Sequence, residues 1–135
     1  MSAQTAQNIE DVYPLSPLQQ GMLFHTLLHS ESGVYLMQDR YRIGGHLDTD
    51  AFLEGWRLVV AAHPALRTSF LWKSQKQPLQ AVHKQIADPV EFIDLSELSA
   101  EQQDEHIKAL LALEQKQGFN LAKPPLIRIR LGSKL

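Results

Sequence analysis

Six histidines and no cysteine set the range of chemistry open to this 135-residue chain. Without thiols there is no disulfide, no thiolate metal site and no cysteine nucleophile. His25 and His29 stand four apart, a spacing that lets two imidazoles share one helix face and grip a metal ion. No Glu lies between them in the metalloprotease arrangement and no third ligand is evident, so an ordinary helical pair accounts for them and no metal site is assigned. His46 follows Gly44-Gly45, a combination that turn chemistry explains more simply than a phosphate or oxyanion loop. His83 and His106 lie on polar stretches and are expected in solvent. A serine nucleophile needs a base and a strained turn of the Gly-x-Ser-x-Gly kind, which does not occur. Ser16 suits a helix cap and Ser69 falls inside a strand-like run. No glycine-rich phosphate loop precedes a helix, and no carboxylates are spaced as an acid and base pair.

Arg67 is the residue with the most to explain. It falls at a helix-to-strand junction between Leu66 and Phe70, both expected to be buried. Two arrangements satisfy it. Its stem can lie over the apolar neighbours with the guanidinium in water, or the guanidinium is itself buried and needs a carboxylate or several carbonyls.

The elements that position these residues alternate between helix and strand. Ser16-Pro17-Leu18-Gln19 combines an N-cap, a proline at the first helical position and a capping-box Gln. Leu18, Met22, Phe24, Leu27 and Leu28 then cover more than half of the helix circumference, which predicts a largely buried helix ended by Glu31-Ser32-Gly33. Val34 to Ile43 alternates, with Tyr35, Met37, Tyr41 and Ile43 on one face, and predicts a half-buried strand. Asp48 or Thr49 can cap a second helix carrying Phe52, Trp56, Val59, Val60 and His63, with Pro64 marking its end. Thr68 to Trp72 and Leu79 to His83 read as a hairpin around the polar turn Lys73 to Pro78, and Val90 to Ile93 as a short strand. Ser99 with Gln102 is a second capping box, and Gly118 closes the helix that follows. Leu126 to Leu131 alternates Ile127, Ile129 and Leu131 against Arg128 and Arg130, a strand with one wet or partner-facing side. Three helices and five strands in this order predict an α/β (α+β) class with helices packed on a mixed sheet.

Composition narrows the function. A formal net charge of −2, with 21% charged residues and no block of like charge, offers no electrostatic case for nucleic acid or an anionic membrane. No apolar run approaches the length of a membrane span. The first eight residues lack the positive flank and apolar stretch of a signal peptide and read as a polar leader or linker. Ser133-Lys134-Leu135 matches a peroxisomal address, but three residues are a weak signal and a cut within a strand or turn is the favoured reading.

Two segments resemble the first two core motifs of the condensation domain of nonribosomal peptide synthetases. The first is Ser16-Pro-Leu-Gln-Gln-Gly-Met-Leu-Phe-His25, in which Ser16, Gln19 and Met22 match the family pattern. The second is His63-Pro-Ala-Leu-Arg-Thr-Ser-Phe70, in which His63, Leu66, Arg67, Thr68 and Phe70 match. Gly44-Gly-His-Leu-Asp48 and Gly118-Phe-Asn-Leu-Ala-Lys-Pro-Pro-Leu-Ile-Arg128 resemble further stretches of the family, in order and in register.

The resemblance implies half of a two-lobe, chloramphenicol acetyltransferase-like fold. It implies a cytoplasmic parent enzyme that joins two acyl or aminoacyl groups through an amide bond. Those groups ride on the phosphopantetheine arms of partner carrier domains, and no cofactor is bound directly. In the family a His-His-x-x-x-Asp-Gly motif positions the reaction, and its Asp is held by an Arg at the position of Arg67. No adjacent His pair occurs here. The chain is therefore expected to be a leader (residues 1–8) and an N-terminal lobe (residues 9–135) that stops before the third motif. It has no catalytic residue of its own, and Arg67 is a buried structural support awaiting a carboxylate from elsewhere. Two other readings stay open: a non-catalytic module that docks carrier domains, and a small acyltransferase of the same fold completed by a partner chain.

Overall fold

The computed structural model describes residues 7–29, 33–73 and 76–133. Helix α1 (Pro17–Leu28) opens on a complete capping box: the Ser16 hydroxyl accepts from the Gln19 amide at 3.2 Å, and the Gln19 side chain accepts from the Ser16 amide at 2.8 Å. Helix α2 (Thr49–Ala62) opens on Asp48, whose carboxylate accepts from the Ala51 amide at 2.9 Å. Its C-cap is His63, held out of helical geometry by Pro64. Helix α3 (Ala100–Gln117) repeats the capping box with Ser99 and Gln102 and stops at Gly118, whose φ of 60° a side chain would resist.

The strands form two sheets. Strand β1 (Ile9–Pro14) and strand β2 (Thr68–Leu71) both pair antiparallel with the central strand β3 (Leu79–His83). On this central strand Gln80, Ala81, Val82 and His83 are all buried. Strand β4 (Val90–Asp94) pairs parallel with strand β5 (Ile129–Ser133), and α3 lies in the crossover that parallel pairing requires. A side chain at Gly132 would press on this pair, because a Cβ there would come within 2.8 Å of the buried Leu95 side chain, which would have to shift.

The α/β character is as expected, with three helices and five strands among the described residues. Its distribution differs from the sequence reading. Parallel and antiparallel pairings sit in separate sheets rather than one mixed sheet. The segment Val34 to Ile43 is not a strand: it has the right alternation but no hydrogen-bonded neighbour strand among the described residues. It runs past α3 instead, fixed by the Gln38 amide donating to Leu111 O at 3.0 Å and by Arg40 against Asp104 at 2.7 Å. Lys108, then Arg40, hydrogen-bond the Asp104 carboxylate and pull its pKa down to about 2. The fifth strand is β1, which the sequence reading missed. Helix α1 is not largely buried either. Only Leu23 is, whereas Leu18 is 74% exposed and Phe24 and Leu28 are each 60% exposed. Strand β5 starts three residues later than the alternation suggested, at Ile129.

Glu31 and Ser32, the expected end of the first helix, lie outside the described residues, as do residues 74 and 75 of the hairpin turn. So do residues 1–6 and the Lys134-Leu135 end of the peroxisome-like tripeptide.

Candidate functional site

Arg67 ends the short 3-10 helix Pro64–Arg67 that turns the chain from α2 into β2. That turn is tight because Pro64 has just ended α2, and Thr68 closes it by donating its hydroxyl proton to Pro64 O at 2.9 Å. The result points the Arg67 guanidinium back under the sheet, where the residue is only 7% exposed. Its Nε donates to Val60 O at 3.1 Å and Nη2 to Ala61 O at 3.3 Å. Nη1 donates to His83 O and, at 2.6 Å, to the Glu10 carboxylate. The cation thus joins the last turn of α2, the end of β3 and strand β1. A buried cation so placed is satisfied by a carboxylate and three carbonyls, as its desolvation demands. The expectation that its carboxylate must come from outside the chain is corrected by Glu10.

Glu10 reaches Arg67 because β1 is bulged there. Going from Ile9 to Asp11 on β1 advances the register by one residue only on β3, from His83 to Val82. Glu10 is the extra residue, and an extra residue re-aims its side chain. The bulge also interrupts the period-2 alternation by which β1 would have been recognised.

His83 is buried, not solvated as its polar neighbours suggested. Its Nε2 lies 2.7 Å from Ser69 Oγ, across the β2–β3 pair, and Ser69 is 1% exposed. Burial lowers the imidazole pKa, which keeps the ring neutral. His83 therefore contributes twice: its ring is fixed by Ser69 and its carbonyl fixes Arg67. The sequence signal for it is its place at the end of a strand-like run, directly after the apolar Ala81 and Val82. Its other side lines a shallow open depression with Asn8, Gln85 and Lys123. Asn8, assigned to the leader by sequence, is bound here: its side chain exchanges hydrogen bonds with the Gln85 backbone, at 2.9 and 3.0 Å.

The other motif residues make separate contacts. Gln19 does more than cap α1: its carboxamide meets that of the buried Gln80 at 3.2 Å, and Gln80 donates in turn to Pro14 O. Ser16 and Gln19 thereby tie α1 to β3 and β1. Met22 and Leu66 are half-buried, Thr68 is buried, and His63 is exposed. Phe70 donates its amide to Leu121 O at 2.8 Å, which attaches β2 to the Gly118–Arg128 stretch.

Within that stretch Arg128 lies 4.3 Å over the Phe119 ring and donates to Gly118 O. The face of Arg128 and Arg130 is half-buried, and Glu114 of α3 pairs with it, 2.9 Å from Arg130 Nε. His25 packs edge-on to Phe24 at 5.8 Å, and no three His, Asp or Glu among the described residues come together around a possible metal ion. No helix among the described residues is long and apolar enough to cross a membrane.

Comparison with known proteins decides the family. The model of the condensation domain matches residues 9–134. The chain belongs to the condensation-domain family. Among curated relatives, a linear gramicidin synthase of Brevibacillus parabrevis is 45% identical over 122 residues, covering 90% of this chain and 2% of the synthase. Tyrocidine synthase 2 of the same organism is 37% identical over 131 residues, covering 97% and 4%. The solved starter condensation domain of rhizomide synthetase superposes with a TM-score of 0.74 at 22% identity, over 93% of this chain and 30% of that one. At that identity the likeness establishes the fold, which is the chloramphenicol acetyltransferase-like fold of condensation domains. This condensation-domain chain thus spans a few per cent of the synthetases it resembles, and under a third of that solved domain.

Proposed function

We propose that residues 9–135 act as the N-terminal portion of a condensation domain, with residues 1–8 as its leader, in an enzyme that forms peptide bonds. The acceptor amine, carried as an aminoacyl thioester on one carrier domain, attacks the thioester carbonyl on another. The C–N bond forms, the C–S bond breaks, and the donor carrier leaves as its free phosphopantetheine thiol. Carrier domains are the partners and bring phosphopantetheine with them, so this segment needs no cofactor of its own. It contributes no general base. Its part is to hold the floor on which a His-His-x-x-x-Asp-Gly loop would rest, through Arg67. The observation that carries this reading is the buried guanidinium clamped between α2, β1 and β3. Such a clamp gives a catalytic loop a fixed cation to dock on.

A graft tests it. Residues 9–134 would replace the matching segment of a condensation domain from tyrocidine synthase 2. Peptidyl thioester formation between loaded carrier domains would then be read by mass spectrometry. The grafted domain is expected to make product and the isolated chain none; product from the isolated chain, or none from a folded graft, overturns the proposal.

A further inference from the structure

We propose that Glu10 is a place-holder for Arg67: a carboxylate that neutralises the buried cation until the acidic residue of the catalytic loop replaces it. This rests on the reading of Arg67 given above and specifies how that residue changes partners. A guanidinium has five N–H groups to place. Nε is spent on Val60 O, the two on Nη1 on Glu10 and His83 O, and one on Nη2 on Ala61 O. One Nη2 hydrogen is left over among the described residues. An incoming carboxylate therefore meets a single free donor, too few for the two-point contact that makes Arg–carboxylate pairs strong and directional.

The four partners differ in how easily they leave. Three are backbone carbonyls fixed by α2 and by the central strand, Val60 and His83 being buried residues themselves. Glu10 is a side chain that is 47% exposed, on the single bulged residue of an edge strand. It gives up least by turning to water, and its departure frees an Nη1 hydrogen in addition to the one left on Nη2. The bulge makes sense in this light: it aims a carboxylate at Arg67 without building that carboxylate into the sheet.

Thermal midpoints of four grafted domains test the exchange: the parent, Glu10→Gln, Asp→Asn in the relative's His-His-x-x-x-Asp-Gly loop, and both together. Either carboxylate alone can serve Arg67, so each single change is expected to lower the midpoint by under about 2 °C. The double change should lower it by about 5 °C or more, well beyond the sum. Additive losses, or a full loss from Glu10→Gln alone, overturn the proposal.

A second arm needs no graft. A synthetic peptide spanning the loop is expected to raise the midpoint of the Glu10→Gln chain more than that of the parent chain, and the Asp→Asn peptide to do neither. Equal responses, or no Asp-dependent response, also overturn it. Neither readout depends on catalysis, so peptide-bond formation by the unsubstituted graft separately reports whether the underlying functional reading fails.

Discussion

The two motif segments of this chain solve opposite problems. Around Arg67 the structure buries polar groups: Arg67, Thr68, Ser69, Gln80 and His83 all lie inside. No buried side-chain nitrogen or oxygen there or elsewhere among the described residues lacks a partner. Along α1 and the neighbouring 33–44 segment it exposes apolar ones, with Met37 88% and Tyr41 82% accessible. A polar interior is tolerated only when every group is satisfied, so the Arg67 region is rigid and specific. An apolar exterior of this extent marks surface made to be covered. One region meets its own polar needs with the partners at hand; the other leaves apolar surface open, in a chain that spans under a third of that solved condensation domain.

Substitutions can break that contrast. The largest effect is expected from Arg67→Ala, which leaves the carbonyls of Val60, Ala61 and His83 without this donor. It should cost about 3 kcal/mol or more in urea unfolding, a large share of a typical domain's stability. Arg67→Lys should recover less than half, because one ammonium cannot span α2, β1 and β3. Next comes Ser69→Val, which fills the site but leaves His83 Nε2 without a partner; about 1–3 kcal/mol should be lost in the same measurement.

Third is pH. The imidazole of His83 has a lowered pKa in the folded chain, so the unfolded chain binds the proton more readily. Stability is then fully present above the ordinary His value of about 6.5 and falls as pH drops below it, by at most about 1.4 kcal/mol per pH unit. His83→Gln, which can still bond Ser69, should flatten that dependence between pH 7 and pH 5; an unchanged slope would assign it elsewhere.

The smallest effect belongs to the other region. Leu18→Gln with Phe24→Ser on α1 should change stability by under about 0.5 kcal/mol, while lowering the fluorescence of an apolar dye and any self-association in sedimentation. A loss comparable to that of Ser69→Val would show that α1 is core after all.

What was legible in the sequence follows the same division. Local chemistry was: both capping boxes, the Asp48 cap, the glycine stop at Gly118 and the β2–β3 hairpin all depend on neighbours within a few residues. The family resemblance was legible for the same reason, as short motifs in register. Tertiary burial was not. Leu18, Phe24 and Leu28 carry a core-like pattern, yet the pattern states only that something should cover them. Val34 to Ile43 alternates like a strand, yet a strand also needs an edge to pair with. His83 looked solvated because Lys84 and Gln85 follow it, but it ends the central strand of a three-stranded sheet and is buried there. Glu10 was hidden by its own bulge, since an extra residue erases the alternation that marks a strand. The pairing of Glu10 with Arg67 spans most of the first half of the chain, a distance no local pattern encodes.

That separation has a consequence during synthesis. β1 leaves the ribosome well ahead of the strand it pairs with, which begins only at Leu79. At about 5–20 residues per second the intervening chain takes several seconds to appear. The helices α1 and α2 can form in that interval; the sheet cannot. The clamp on Arg67 is therefore a late event, set not by the residue's own neighbourhood but by the arrival of His83, and until then the bulged strand remains an unpaired edge.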